Sequence, residues 1–260
     1  MRHLSALTWH RWIDDIGQAL ARPFWLRMRI CLGALVVGLL LAIEPVPWAP
    51  ETSLSALVIA SLVAPASIHL VFLRSGQGFA VDFHVAVLLS LAIAQPTIVW
   101  LIFETLTPLS TPSRHWRIHL VVLVMVAAFF VGIATAYAVL LPIVIQSLLV
   151  FGTTGPGLET MWAFSEYIPT TATMIVVFGA ICELPALTVG SVWLRLVERE
   201  RLAKWRPYAI LTAFIVGAWV TPTPDIINQA IVAIPICLFY ELGLLLARLV
   251  PPECSEPAKP

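Results

Sequence analysis

The sequence predicts an all-α polytopic membrane protein with six transmembrane helices and both termini on the inner side. Three observations carry this prediction. Of the 260 residues, 60% are hydrophobic and only 12% are charged, where a soluble domain carries about 25% charge. Several apolar runs reach the roughly 20 residues that a helix needs to cross a bilayer. Lys and Arg are distributed unevenly between those runs, which orients them. Net charge is zero, so no nucleic-acid partner is expected.

Residues 1–29 are basic and aromatic. Trp9, Trp12, Ile13, Ile16 and Leu20 recur at helical spacing with Arg11, Asp14 and Asp15 between them. This pattern predicts an amphipathic helix over 1–22 lying on the membrane surface. Pro23 ends it, because proline disfavours helix in the residue before it. Arg27 and Arg29 then flank a first span, Ile30–Ile43. The long leading segment and the lack of a small-x-small cleavage site favour a retained span over a signal peptide.

Pro45, Pro47 and Pro50 break the chain after Glu44. Leu54–Leu73 is apolar and uncharged over a spanning length, yet Pro65, Ser67 and His69 suggest an interfacial helix or re-entrant piece. Val81–Ile102 is the second span, with Asp82 and His84 at its start and Gln95-Pro96 inside it. Ile118–Leu141 is the third, ended by Pro142. A loop with Gly155-Pro156-Gly157 leads to the fourth, Thr170–Leu194. A basic connector follows, and then a short fifth span, Tyr208–Val220. Ile226–Leu249 is the sixth. A short fifth span beside a sixth kinked at Pro235 implies a thinned bilayer or tilted neighbours.

The charges decide the topology. With six spans and the N-terminus inside, only Arg74 of the 15 Lys and Arg residues lies outside. Counting 54–73 as a seventh span would put most of them outside, against the positive-inside rule. The expected organisation is one membrane domain over 1–250, with an outer loop at 45–78 and a basic inner connector at 195–206. Residues 251–260 form a disordered tail.

No phosphate-binding Gly-Lys-Ser/Thr, nucleophile elbow or HExxH appears, so no catalytic residue, metal or cofactor is expected. The four cysteines lack metal-ligand spacing and read as small buried hydrophobes. His115 and His119 read as an interfacial pair. Glu183 is the sharpest residue, because a charged acid deep in a bilayer costs roughly 2–3 kcal/mol or more. It must face protein, water or a partner. Three readings stand: a hydrogen bond to a carbonyl freed by Pro185, a partner or substrate contact, and a proton relay. Asp225 follows Pro224 in an outer turn and suits the N-cap of the sixth span. Gln229 lies in the first turns of that span. Glu241, near its inner end, is expected to snorkel or to pair with a basic residue such as Arg248.

These residues resemble the TatC family of twin-arginine protein translocase components. The shared features are Phe178-Gly179, Glu183-x-Pro185, Lys204-x-Arg206-Pro207-Tyr208, Gly217, Thr221-Pro222, Asp225, Gln229, Ala233-x-Pro235 and Glu241-x-Gly243. Tyr137 and Pro142 also match. The resemblance implies a curved, concave helical receptor in the plasma (inner) membrane of a prokaryote, or in an organellar membrane. It implies no enzymatic activity. The implied partners are single-span TatA- and TatB-type subunits, further copies within a complex, and twin-arginine signal peptides of folded cargo exported with the proton-motive force. Signal binding would fall at the inner face, on Arg27, Arg29, Glu104 and Arg114. Partner contacts would fall on Glu183, Pro185, Gln229 and Glu241. The first half departs from the family. Trp25 replaces an acid before Leu26-Arg27-Met28-Arg29, and Arg114 stands where the family has a Glu. Guanidinium ligands need carboxylates, which leaves Glu104 as the nearest acid in that connector and Asp14 and Asp15 as further ones. A divergent homologue that keeps the scaffold, or an unrelated secondary transporter using Glu183, are the alternative readings.

Overall fold

A computed structural model describes residues 24–46, 49–63, 69–74, 76–106, 115–143, 161–220 and 226–250. The surface helix expected at 1–22, Arg114, Asp225 and the tail at 251–260 lie outside them. Helices dominate. α1 is Phe24–Ile43, α2 Leu54–Val63, α3 Gln77–Leu106 and α4 His115–Thr135. α5 is Phe164–Cys182, α6 Leu184–Trp193, α7 Arg199–Lys204, α8 Arg206–Val220 and α9 Ile226–Leu246. A wider π-type turn, Ala136–Leu140, prolongs α4, and a tight 3-10 turn, Ala247–Leu249, follows α9.

Among the described residues, four helical stretches are long and apolar enough to cross a bilayer: Gln77–Leu106, Trp116–Ile143, Phe164–Trp193 and Gln229–Leu249. They coincide with the second, third, fourth and sixth expected spans. α8 has 15 residues, about 22 Å at 1.5 Å per residue, against a hydrocarbon core of about 30 Å. α2 has 10 residues and is too short to span. Leu54–Leu73 is therefore not one helix.

Several local expectations are corrected. Pro142 does not end the third span, because helix continues to Ile143. The fourth starts at Phe164, earlier than Thr170, and runs through Pro169. A proline in the second turn forfeits one backbone bond without stopping the helix. The all-α class also omits two small ladders. β1 (Pro45–Val46) pairs antiparallel with β2 (Ala49–Ser53), and β3 (His69–Val71) pairs parallel with β4 (Met161–Ala163). The second ladder ties the segment after α2 to the entrance of α5.

α1 lies along α3. Ser90 donates to the Leu35 carbonyl at 2.6 Å, and the outward residues Leu32, Val36, Val37 and Leu40 remain exposed, as suits a lipid-facing helix. α2 is held at both ends. Ser53 caps its N-terminus by accepting from the Ala56 N–H at 3.2 Å, and Ser55 donates to Asp82 at 2.7 Å. At its other end the Tyr137 and Tyr167 hydroxyls donate to the Ser61 and Leu62 carbonyls. Helix-end carbonyls have no partner within the helix, so these tyrosines fill a defined need.

Among the described residues, three apolar clusters replace a single core. One joins α2, α3 and α5 through Leu62, Val81, Val85 and Ile168. A second joins α5, α8 and α9 through Met174, Ala213, Val232 and Ile236. The third joins α3 and α4 with the end of α6 through Phe103, Val121, Met125 and Leu194. In a bilayer, helix packing and interhelical hydrogen bonds hold such bundles.

Candidate functional site

The site begins with a helix interruption. Pro185 has no N–H to give, and its ring opposes the carbonyl four residues back, so a continuous helix cannot pass it unchanged. The chain accordingly leaves α5 at Cys182, turns at Glu183 and restarts as α6 with Pro185 in its first turn. The Leu187 N–H bonds the Glu183 carbonyl at 2.8 Å and begins the new helix.

The turn brings the Glu183 carboxylate against α3. Gln95 Nε2 donates to Glu183 Oε1 at 2.7 Å, and both side chains are buried at 8% exposure. A buried polar group without a partner costs about 1–3 kcal/mol, so this bond is what lets the acid stay inside. Of the three readings of Glu183, the bond to a carbonyl freed by Pro185 is not the contact made, because the partner is a side chain on another helix. Thr188 instead serves the local backbone, donating to the Leu184 and Pro185 carbonyls. Gln95 Oε1 is buried with no hydrogen-bond partner among the described residues. The pair thus retains one unused acceptor.

Glu241 pairs with a basic residue, one of its two expected fates, but that residue is Arg206 at the start of α8 and not Arg248. Arg206 Nε lies 2.9 Å from Oε1, and Nη2 donates to Oε2 at 2.9 Å. This two-pronged fork matches guanidinium to carboxylate. The side chains are 47% and 50% exposed. Nearby, the Tyr240 hydroxyl donates to the Leu202 carbonyl at 2.6 Å. Together these contacts clamp α7 and the start of α8 onto α9.

Gln229 makes a third contact, donating from Nε2 to the Phe214 carbonyl at 2.6 Å. A Cβ on Gly217 would come within 2.8 Å of the Gln229 carbonyl oxygen, so glycine is what admits α9 there. At the other end of α9, a Cβ on Gly243 would collide with Thr188 Oγ1 and lie 3.0 Å from Pro185 Cα. Gly243 therefore sets how closely α9 approaches the restart of α6.

The expected partner residues do not form one cluster. Gln229 and Glu241 are about 18 Å apart along α9 at 1.5 Å per residue, and each binds a different part of α8. Of the expected inner-face residues, Arg29 is exposed on α1 and Glu104 is half-buried near the end of α3. Arg27 lies in α1 with its side chain undescribed. The residue of this site that sequence reasoning missed is Gln95. Its signal was an amide inside the apolar run 81–102, noted there only beside Pro96.

Fold and site together define a polytopic helical membrane protein whose helices are locked through a buried amide–carboxylate pair. The sequence model of the family described as "Sec-independent protein translocase protein (TatC)" matches residues 24–235. A protein of that name from Deinococcus radiodurans is 32% identical over 242 residues, covering 90% of this chain and 88% of its own. Another, from Carboxydothermus hydrogenoformans, is 30% identical over 191 residues, covering 74% and 78%. A crystal structure of the twin arginine translocase receptor TatC matches with a TM-score of 0.75 at 24% identity, over 88% of this chain and 98% of that one. The chain belongs to the TatC family, and its fold is that of the TatC receptor. It is a component of Sec-independent protein transport, and the reading as an unrelated transporter falls away.

Proposed function

We propose that this chain is the signal-peptide-binding core subunit of a translocase that exports folded proteins bearing twin-arginine signals. It works in the inner membrane of a prokaryote, draws on the proton-motive force and performs no enzymatic reaction. Six helices span the bilayer in a curved arrangement with both termini inside, as the placement of Lys and Arg supports. The basic connector at 195–206 and the signal-binding residues Arg27, Arg29, Glu104 and Arg114 then face the cytoplasm. Asp225, between the fifth and sixth spans in the sequence, then falls on the outer side.

The observation that carries this reading is the buried Gln95–Glu183 pair. The pair keeps an acid inside the bilayer at the junction of α5 and α6, because a polar group there gains most from a protein partner. Pro185 positions that acid. Gln229 and Glu241 hold α8 and α9 as the edge against which TatA- or TatB-type subunits and further copies assemble. The test is complementation: expression in a strain that lacks its own subunit should restore export of a folded twin-arginine reporter. Failure of a stably inserted protein to restore export would reject the reading.

A second reading is a homologue that keeps the scaffold but reads other signals. Trp25 and Arg114, standing where the family has acids, favour it. Under the first reading Glu104 supplies the carboxylate for the signal's guanidinium groups. Reversal of its charge (Glu104→Lys) should then abolish crosslinking to a twin-arginine peptide, and unchanged crosslinking would favour the second reading.

A further inference from the structure

An apolar groove of about 550 Å3 runs between α4, α6 and the end of α9. Leu120, Val124 and Ala128 form one wall, Val189 and Trp193 the other, and Leu249 closes the end. Every lining residue is apolar apart from the Cys182 thiol and the Trp193 indole. Leu120, Val124 and Leu249 are exposed, so the groove opens sideways from the bundle. It lies on α6, but it takes no part in the Gln95–Glu183 contact.

The end of the groove is chemically different from its walls. The Arg117 guanidinium carbon sits 5.4 Å from the centre of the Trp193 ring, within cation–π range. Trp116 packs edge-on against the same ring at 5.5 Å. Arg248 is exposed in the turn Ala247–Leu249 that closes the groove, and Arg195 is exposed two residues after Trp193. Tryptophan belongs at the level of lipid headgroups, and arginines there attract anionic lipid. An apolar slot leading to a basic, indole-rimmed mouth is complementary to one amphipathic shape.

We infer that this groove is a binding site for an anionic glycerophospholipid. One acyl chain lies along Ala128, Val124 and Val189, and the phosphate sits at the mouth beside Arg117 and Arg248. Charge argues for a lipid over an apolar helix as occupant, because the basic rim of Arg117, Arg195 and Arg248 complements an anionic headgroup. A single acyl chain is narrow enough to follow the groove. The inference requires only that these helices lie in a bilayer. It is independent of which signal peptides the protein reads.

Native mass spectrometry of the full chain in detergent tests it, with phosphatidylglycerol and phosphatidylcholine of matched chains as probes. The wild type should retain phosphatidylglycerol preferentially. Arg248→Gln should weaken that retention about fivefold, the equivalent of about 1 kcal/mol per arginine, leave phosphatidylcholine unchanged, and be rescued by Arg248→Lys. Ala128→Phe, which fills the groove, should reduce retention of both lipids. Equal retention of the two lipids by the wild type would overturn the inference. So would undiminished phosphatidylglycerol in Arg248→Gln, an exposed change that does not endanger folding. A photoreactive residue in place of Val189 separates the possible occupants in native membranes. Lipid adducts are expected, and adducts to a polypeptide helix or to a second copy of the chain would refute the proposal.

Discussion

Glu183 and Glu241 are both carboxylates set in apolar helices, and the protein holds them in opposite ways. Glu183 is buried and receives one hydrogen bond from a neutral amide on a distant helix. Glu241 is half exposed and receives two from a guanidinium on the neighbouring helix. The stronger-looking bond is the less consequential one. An exposed ion pair exchanges water for a partner of similar value and contributes about 0–1 kcal/mol. A buried acid has no water to fall back on, so its single partner decides whether the site is tolerable. The difference suits two tasks. The buried pair fixes the junction of α5 and α6 against α3. The exposed pair latches the connector α7 and the start of α8 to α9.

Six substitutions, in three pairs, would break or sharpen this contrast. The largest effect is expected from Gln95→Leu, which strands Glu183 and should lower stability by about 1–3 kcal/mol, read as the thermal midpoint in detergent. The double change Gln95→Leu with Glu183→Leu should recover most of that loss, since removing both partners leaves nothing unpaired. If the double variant is as unstable as the single, burial of an unpaired group is not the cause.

Gly243→Ala should come next. Its methyl meets Thr188 Oγ1 and Pro185, and overpacking of this kind costs roughly 1–3 kcal/mol. Because the obstacle is one hydroxyl, Thr188→Ala should restore part of the stability, and no rescue would point to the backbone of Pro185 instead. The smallest effect is expected at the exposed fork. Arg206→Ala should change stability by less than about 1 kcal/mol, with a cycle against Glu241→Gln giving a coupling of the same order. A coupling larger than that measured between Gln95 and Glu183 would reverse the ranking of the two acids.

How much was legible in the chain varied with the range of the interaction. Glu183 stood out as an acid in an apolar run, but the fourth span was read as continuous through Pro185, and the restart there came only with the structure. The acid's partner could not be read, because Gln95 is 88 residues away and lies inside a different span. Arg248, two helical turns further along, was the example of a basic partner that the sequence offered for Glu241. The actual partner is 35 residues earlier in the chain, since α8 and α9 are packed side by side. The ladders were invisible for a related reason. Segments such as His69–Val71 and Met161–Ala163 are three residues long, too short to show alternation, and they pair across nearly a hundred residues.

The sequence by itself determined that this is a helical membrane protein of the TatC family. It also located the long apolar helices, with ends off by up to about six residues. Those properties follow from local quantities, namely the apolar length a bilayer demands, the residues that forbid helix and the motifs along each segment. Only the tertiary structure decided which polar side chains meet, where α6 restarts against α9 and where a groove opens beside Trp193. Such contacts depend on the approach of helices distant in the chain. In the low-dielectric interior a single hydrogen bond or a missing Cβ is enough to select one approach over another.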